Sequence, residues 1–112
     1  MSGVRWYDRQ GRPLTLAQAA PLLEDADYKR VASDVLPDGR WVSTVWLGLD
    51  HGWDGVPLPL IFETMVFESR RVLWVLWESR CSRYATEAEA LRGHERIWFS
   101  EFWISLRTAT LE

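Results

Sequence analysis

The sequence predicts an α+β domain: an antiparallel β-meander of three to five strands, with a short N-terminal helix and a longer C-terminal helix packed on the sheet. Two observations carry this. The middle of the chain holds successive apolar runs, WVSTVWLGLD, LPLIFETMVFE and VLWVLWE, punctuated by turn residues, which is the pattern of adjacent strands. On either side stands a capping box, Thr15-Leu-Ala-Gln18 and Thr86-Glu-Ala-Glu89, whose side chains can satisfy the orphan amides that open a helix.

Taken in order, Val4 to Asp8 reads as a short strand and Arg9 to Pro13 as a turn. Behind Thr15, the residues Leu16, Ala19, Ala20, Leu22 and Leu23 make a short amphipathic helix, which Pro21 should shorten. Asp25 to Asp27 end that segment, and Tyr28 to Leu36 forms a strand. Pro37-Asp-Gly-Arg40 is a turn. Trp41 to Asp50 is the clearest strand, with Trp41, Val45, Leu47 and Leu49 on one face and Val42, Thr44 and Trp46 on the other. A loop covers His51 to Pro57. Leu58 to Glu68 and Val72 to Glu78 are the following strands. The second helix should run from Glu87 to about Trp103, with an apolar stripe of Leu91, His94, Trp98, Phe102 and Leu106 and a frayed tail from Ser105. Gly93 costs that helix about 1 kcal/mol against alanine, and closer approach to the sheet is the expected return. There is no internal repeat and no linker, so residues 1–112 read as one domain.

Bulk composition excludes several classes. The chain is 47% hydrophobic and 26% charged, with eight tryptophans in 112 residues, too apolar for disorder. A net charge of −3 argues against nucleic acid as a partner. Twelve arginines stand against one lysine (Lys29) and no asparagine, as high-GC codon usage would produce. The lone Cys81 cannot close an internal disulfide. No apolar signal segment opens the chain, and no run approaches the about 18 residues of a membrane span. A cytoplasmic protein with no membrane partner is expected.

The segments WVSTVWLGLDH, PLIFETMVF and RYATEAEALRGH, with the opening WYDRQGRPLTLAQAAPLLEDADYKRVA, resemble a family of small proteins of actinobacteria and their phages. The resemblance covers about residues 6 to 97. It implies an origin, with phage-encoded chains working in the host cytoplasm, and no reaction. Two segments depart from the family pattern: Val72 to Trp77 is more apolar, and Trp98 to Glu112 is longer and richer in aromatics.

Chemistry-bearing residues are sparse. His51, Glu63 and His94 could converge where the C-terminal helix crosses the sheet. They would then form an acid/base or metal-dependent site, with Glu63 a carboxylate in an apolar setting. The competing reading is a buried His–Glu hydrogen bond that fixes helix to sheet. No metal motif is matched, and no cofactor is implied. Asp50 and Asp54 lack the further ligands of a calcium loop. Cys81, between Arg80 and Arg83, lies in a strand-to-helix connection without a neighbouring histidine in sequence. Arg70 and Arg71, beside Trp74 and Trp77, could stack a nucleotide or hold a small anion.

The tryptophans carry the main expectation. Trp41 and Trp46 fall on opposite faces of one strand, as do Trp74 and Trp77, and two short helices cannot cover both faces of a sheet. Some of Trp46, Trp74, Trp77 and Trp103 should therefore form an exposed aromatic surface. A homodimer through the sheet's open face, with this aromatic-rich sheet surface as the interface, is the simplest outcome. A host or phage protein, or a small ligand held between sheet and helix, is the alternative partner.

Overall fold

A computed structural model describes residues 5–50, 58–67 and 81–111, with side chains to residue 107. The architecture is α+β. Four antiparallel strands stand in sequence order: β3 (Arg30–Val35), β4 (Trp41–Trp46), β5 (Phe62–Phe67) and β6 (Cys81–Tyr84). Before them come β1 (Trp6–Tyr7), β2 (Pro13–Leu14), α1 (Leu16–Leu23) and α2 (Ala26–Lys29). The last element, α3 (Glu87–Leu111), packs across the sheet. Among the described residues, no helix is long and apolar enough to cross a membrane.

The first capping box forms in full, and at the second the Thr86 hydroxyl caps the helix and holds Glu89. Thr15 Oγ1 accepts from the Gln18 amide at 3.2 Å, and Gln18 Oε1 accepts from the Thr15 amide at 2.9 Å. Thr86 Oγ1 accepts from the Glu89 amide and donates to the Glu89 carboxylate, each at 3.1 Å. Pro21 stands inside α1, which ends two residues after it. The turn at Pro37 to Arg40 is closed by the Leu36 amide on the Arg40 carbonyl at 2.7 Å, with Gly39 at a φ of 93°.

Several expected boundaries move. The first strand shrinks to Trp6–Tyr7, which pairs with Pro13–Leu14. The start of the expected strand at Tyr28 belongs instead to α2, because the Asp25 carboxylate accepts from the amides of Asp27 and Tyr28 and caps a single helical turn. β4 stops at Trp46. Gly48 follows at a φ of 80°, and a Cβ there would sit 2.9 Å from the Trp46 indole. Only an isolated bridge from Leu49 to Trp6 continues the pairing. The strand expected at Val72 to Glu78 lies outside the described residues. The strand beside β5 is Cys81–Tyr84, where a connection was expected, and it earns its place by register rather than by apolar alternation. α3 runs on to Leu111 instead of fraying from Ser105.

Strand parity decides which face is core. Thr44 stands opposite Thr64, so Val42, Thr44, Trp46, Phe62, Thr64 and Val66 share the face that meets α3. All six are buried. Trp41, Val45, Glu63, Met65 and Phe67 lie on the other face, half-buried, with Trp41 stacked on Phe67 at 5.1 Å. On α3 the buried line is Ala90, His94, Ile97, Glu101 and Ser105. Leu91 and Leu106, expected in the stripe, are exposed. The helix is turned so that two polar side chains, Glu101 and Ser105, reach the β3–β4 turn. Gly93 provides the expected close approach: a Cβ there would overlap the phenol of Tyr84.

The apolar core is therefore in two parts. One holds Leu36, Val42, Val66 and Ile97, flanked by Trp98 and Phe102. The other holds Trp46, Ile61, Phe62 and Ala90, flanked by Tyr7, Leu22, Leu23, Tyr28, Val31 and Tyr84. Between them, in register, run Thr44, Thr64 and His94.

Candidate functional site

This polar row is a continuous hydrogen-bonded chain. Thr64 Oγ1 lies 2.5 Å from Thr44 Oγ1, Thr44 Oγ1 lies 2.7 Å from His94 Nδ1, and His94 Nε2 lies 2.7 Å from Asp34 Oδ2. With one ring proton, on Nε2, the imidazole donates to Asp34 and accepts from Thr44, whose oxygen in turn accepts from Thr64. Every member then has a partner, as a buried polar group requires. Asp34 reaches the position because it pairs with Val42 across β3–β4 and so shares the core face, at the sheet's outer edge. Its side chain is 54% exposed. The order carboxylate, imidazole, hydroxyl is that of a nucleophilic relay. Here the hydroxyls of Thr44 and Thr64 are fully buried. The arrangement ties α3 to the sheet, but through Thr44 and Asp34 and not through the His–Glu hydrogen bond expected, because Glu63 lies on the opposite face.

Asp34 and His94 also form the floor of a cleft of about 330 Å³, walled by Glu95, Trp98 and Phe99. Trp98 stacks on Phe102 at 4.9 Å.

The other candidates separate. Glu63 does not meet His94: pairing with Val45 and Arg83 puts it on the opposite face of the sheet. Its Oε2 accepts from Arg83 Nε at 3.0 Å and from Cys81 Sγ at 3.1 Å, so its setting is polar and not the apolar one expected. Cys81 itself lies in β6, on that same face, and is exposed. His51 and Asp54 lie outside the described residues, as do Arg70, Arg71, Trp74 and Trp77. The Asp50 carboxylate accepts from the Leu60 amide at 2.9 Å. Among the described residues, no group of three or more His, Cys, Asp or Glu side chains is placed to hold a metal.

Trp46 is withdrawn from the binding surface. It is 1% exposed, its indole donates to the Tyr7 carbonyl at 2.9 Å, and Tyr28 meets it edge-on. The hairpin β1–β2 folds over it, a non-local cover that strand parity alone does not foretell.

Trp103 does reach solvent, and it has company. Phe99, Trp103 and Ile104 are 60%, 56% and 57% exposed. Phe99 and Trp103 stand four residues apart on α3 with ring centroids 6.1 Å apart, and Phe102 meets Trp103 edge-on at 5.3 Å.

No family model, curated protein or solved structure matches the chain. The functional reading therefore rests on the site alone.

A second polar group clamps the same helix. Arg40 Nε lies 2.9 Å from Asp38 Oδ2, and its Nη1 lies 2.8 Å from Glu101 Oε1. The Asp38 amide donates to Ser105 Oγ at 2.8 Å. Burial opposes the charged form of Asp38. The Arg40 amide, the Ser105 hydroxyl and the Arg40 guanidinium outweigh it and hold the carboxyl below its usual range. Burial likewise works against the Arg40 cation, and the Glu101 and Asp38 carboxylates reverse this and push it upward. Asp8 is also lowered: burial opposes its charge, and the amide and guanidinium of Arg12 prevail. A depressed carboxyl contributes stability above its unfolded pKa and loses it as pH falls through the folded one. Stability should thus decline from about pH 4 downward. Asp38→Asn should flatten that acid limb in urea midpoints taken between neutral and acid pH; an unchanged limb would remove Asp38 from the account.

Proposed function

We propose that the chain is a phage- or prophage-type binding protein, non-enzymatic, that docks through the aromatic ridge of α3 formed by Phe99, Trp103 and Ile104. The exposure of these three side chains on one helix carries the reading. Large apolar side chains held in water favour association, and aromatics bury much area with few torsions to freeze. With Trp46 in the core, we assign the surface to the helix, where the exposed aromatics stand together. The aromatic tail beyond Trp98, one of the two segments that depart from the resembled family, supplies it.

The occupant we assign is a second copy of the chain. At about 200 Å² for a whole aromatic side chain, the exposed parts of the three come to roughly 300–400 Å² per copy. A standard interface needs about 800 Å² per partner. The exposed polar residues around the ridge, Arg92, Glu95, Arg96 and Arg107, carry both signs and can supply the rim. In an antiparallel, two-fold pairing of α3 centred at the level of Glu101, Phe99 of one copy meets Trp103 of the other. Glu95 then lies opposite Arg107. Self-complementarity of this kind is what a two-fold interface demands.

Light scattering during size exclusion is the test. The chain should elute as a dimer at tens of micromolar, and Trp103→Glu should give a monomer with unchanged far-ultraviolet dichroism. A wild-type monomer throughout that range overturns the dimer. A dimer untouched by Trp103→Glu moves the interface off the ridge.

A further inference from the structure

The cleft beside the ridge has a chemistry of its own. Its floor is the carboxylate of Asp34, whose Oδ2 is held at 2.7 Å by a buried imidazole. One oxygen is thus fixed by the protein, and the carboxylate plane is set without freezing a mobile side chain on binding. The side chain nonetheless stays more than half exposed, so the group is both oriented and reachable. Beside it stands a second carboxylate, Glu95, and the remaining walls are the aromatic rings of Trp98 and Phe99. Trp98 is braced by its stack on Phe102. The volume, about 330 Å³, is at the lower end of small-ligand sites.

Aromatic faces and carboxylates share one preference. A ring attracts a cation through its quadrupole, and a carboxylate attracts it through charge. A neutral apolar ligand would leave Asp34 desolvated and unanswered, and an anion would be repelled by both acids. Inorganic cations would gain from the carboxylates and little from the rings. The group that satisfies all four walls is an organic cation, with apolar surface spread around its charge. Arg92 and Arg96 flank Glu95 in a neighbouring depression that also includes Phe99. They temper the field of Glu95, which leaves Asp34 as the principal counter-charge.

We propose that the cleft lined by Asp34, His94, Glu95, Trp98 and Phe99 binds an organic cation, a quaternary ammonium or the head of an arginine or lysine side chain. The site goes beyond the docking ridge, with which it shares Phe99, and Glu95 stands in both the cleft and the rim of the dimer. Asp34 and Glu95 supply the counter-charge, the two rings supply the cage, and His94 positions Asp34.

Proton–nitrogen correlation spectra of the whole chain test this, with the Trp98 indole signal identified by its loss in Trp98→Phe. Choline and N-acetyl-arginine amide are the two cationic probes, and 3,3-dimethylbutan-1-ol, the neutral isostere of choline, is the control, all at constant ionic strength. Saturable shifts of the Trp98 indole are expected below about 50 mM of either cation, and whichever binds tighter names the source, free ammonium or protein side chain. Asp34→Asn keeps an acceptor for His94 and should weaken binding about fivefold, as loss of about 1 kcal/mol implies. Glu95→Gln, at an exposed helix position, should weaken it less. On the monomeric Trp103→Glu, where no partner covers Phe99 or Glu95, the same order of probes and the same loss with Asp34→Asn should hold, which separates this site from the dimer. The proposal falls if neither cation gives a saturable shift, if the neutral alcohol binds as well as choline, or if both carboxylate variants bind like the parent while their melting curves show an intact fold.

Discussion

Glu101→Ala is expected to destabilise the fold by about 3 kcal/mol, the lower end of the range for breaking a buried ion pair. The reason is what it leaves behind. Arg40 is largely covered, and its Nη1 would lose the Glu101 carboxylate it donates to. Asp38 would still hold Nε, which is why the loss should not reach the upper end. The damage falls at the junction of α3 with the β3–β4 turn, where the Asp38 amide also depends on Ser105. Glu101→Gln keeps an acceptor and removes the charge, so it should cost roughly half as much. Urea unfolding at neutral pH, with an unchanged slope, gives both numbers. If Glu101→Ala lies within about 1 kcal/mol of the parent, the clamp is not what fastens the helix.

The second large effect concerns the row that divides the core. His94→Leu should cost about 2 kcal/mol, mostly because the Thr44 hydroxyl loses its acceptor inside the protein. Asp34, exposed at the sheet edge, can turn to water and adds little. Substituting Thr44→Val and Thr64→Val together with His94→Leu removes every hydroxyl that needs a partner and joins the two apolar clusters. That triple variant should be more stable than His94→Leu alone and close to the parent. Thermal or urea unfolding of the parent, His94→Leu, the Thr44→Val/Thr64→Val double variant and the triple variant decides it. If the triple change is the sum of its parts, the row is three independent contacts and not a network.

The parts legible in the sequence are those set by local chemistry. The capping boxes at Thr15 and Thr86 fix helix starts from four consecutive residues each. Pro37 to Arg40 declares its turn through Gly39. Gly93 announces a close approach, and the ring of Tyr84 occupies it. What escaped is non-local. Thr44 and Thr64 look like ordinary strand residues until register sets them opposite one another, and Asp34 reads as a solvated edge residue until α3 brings His94 to it. The stripe on α3 was sought among apolar residues. Two of its buried members, Glu101 and Ser105, are polar, and their partners lie more than sixty positions away. The strand Cys81–Tyr84 carries an arginine and a serine and has no alternation to reveal it. Parity did foresee tryptophans on both faces of β4. It could not foresee that the N-terminal hairpin folds over Trp46.

The division of the core also bears on how the molecule can open. The ridge of α3 is anchored by the cluster of Leu36, Val42, Val66 and Ile97, whereas the hairpin, α1 and α2 gather round Trp46 and Phe62. A hydrogen-bonded row stands between these halves, so little continuous apolar packing carries a disturbance from one to the other. Cooperativity is thereby weakened along that line. Each half of α3 thus has its own hold on the sheet: the C-terminal half through Ile97 and the Arg40–Glu101 clamp, the N-terminal half through Ala90 against Trp46 and Phe62, so a change at the docking surface bears first on the nearer half.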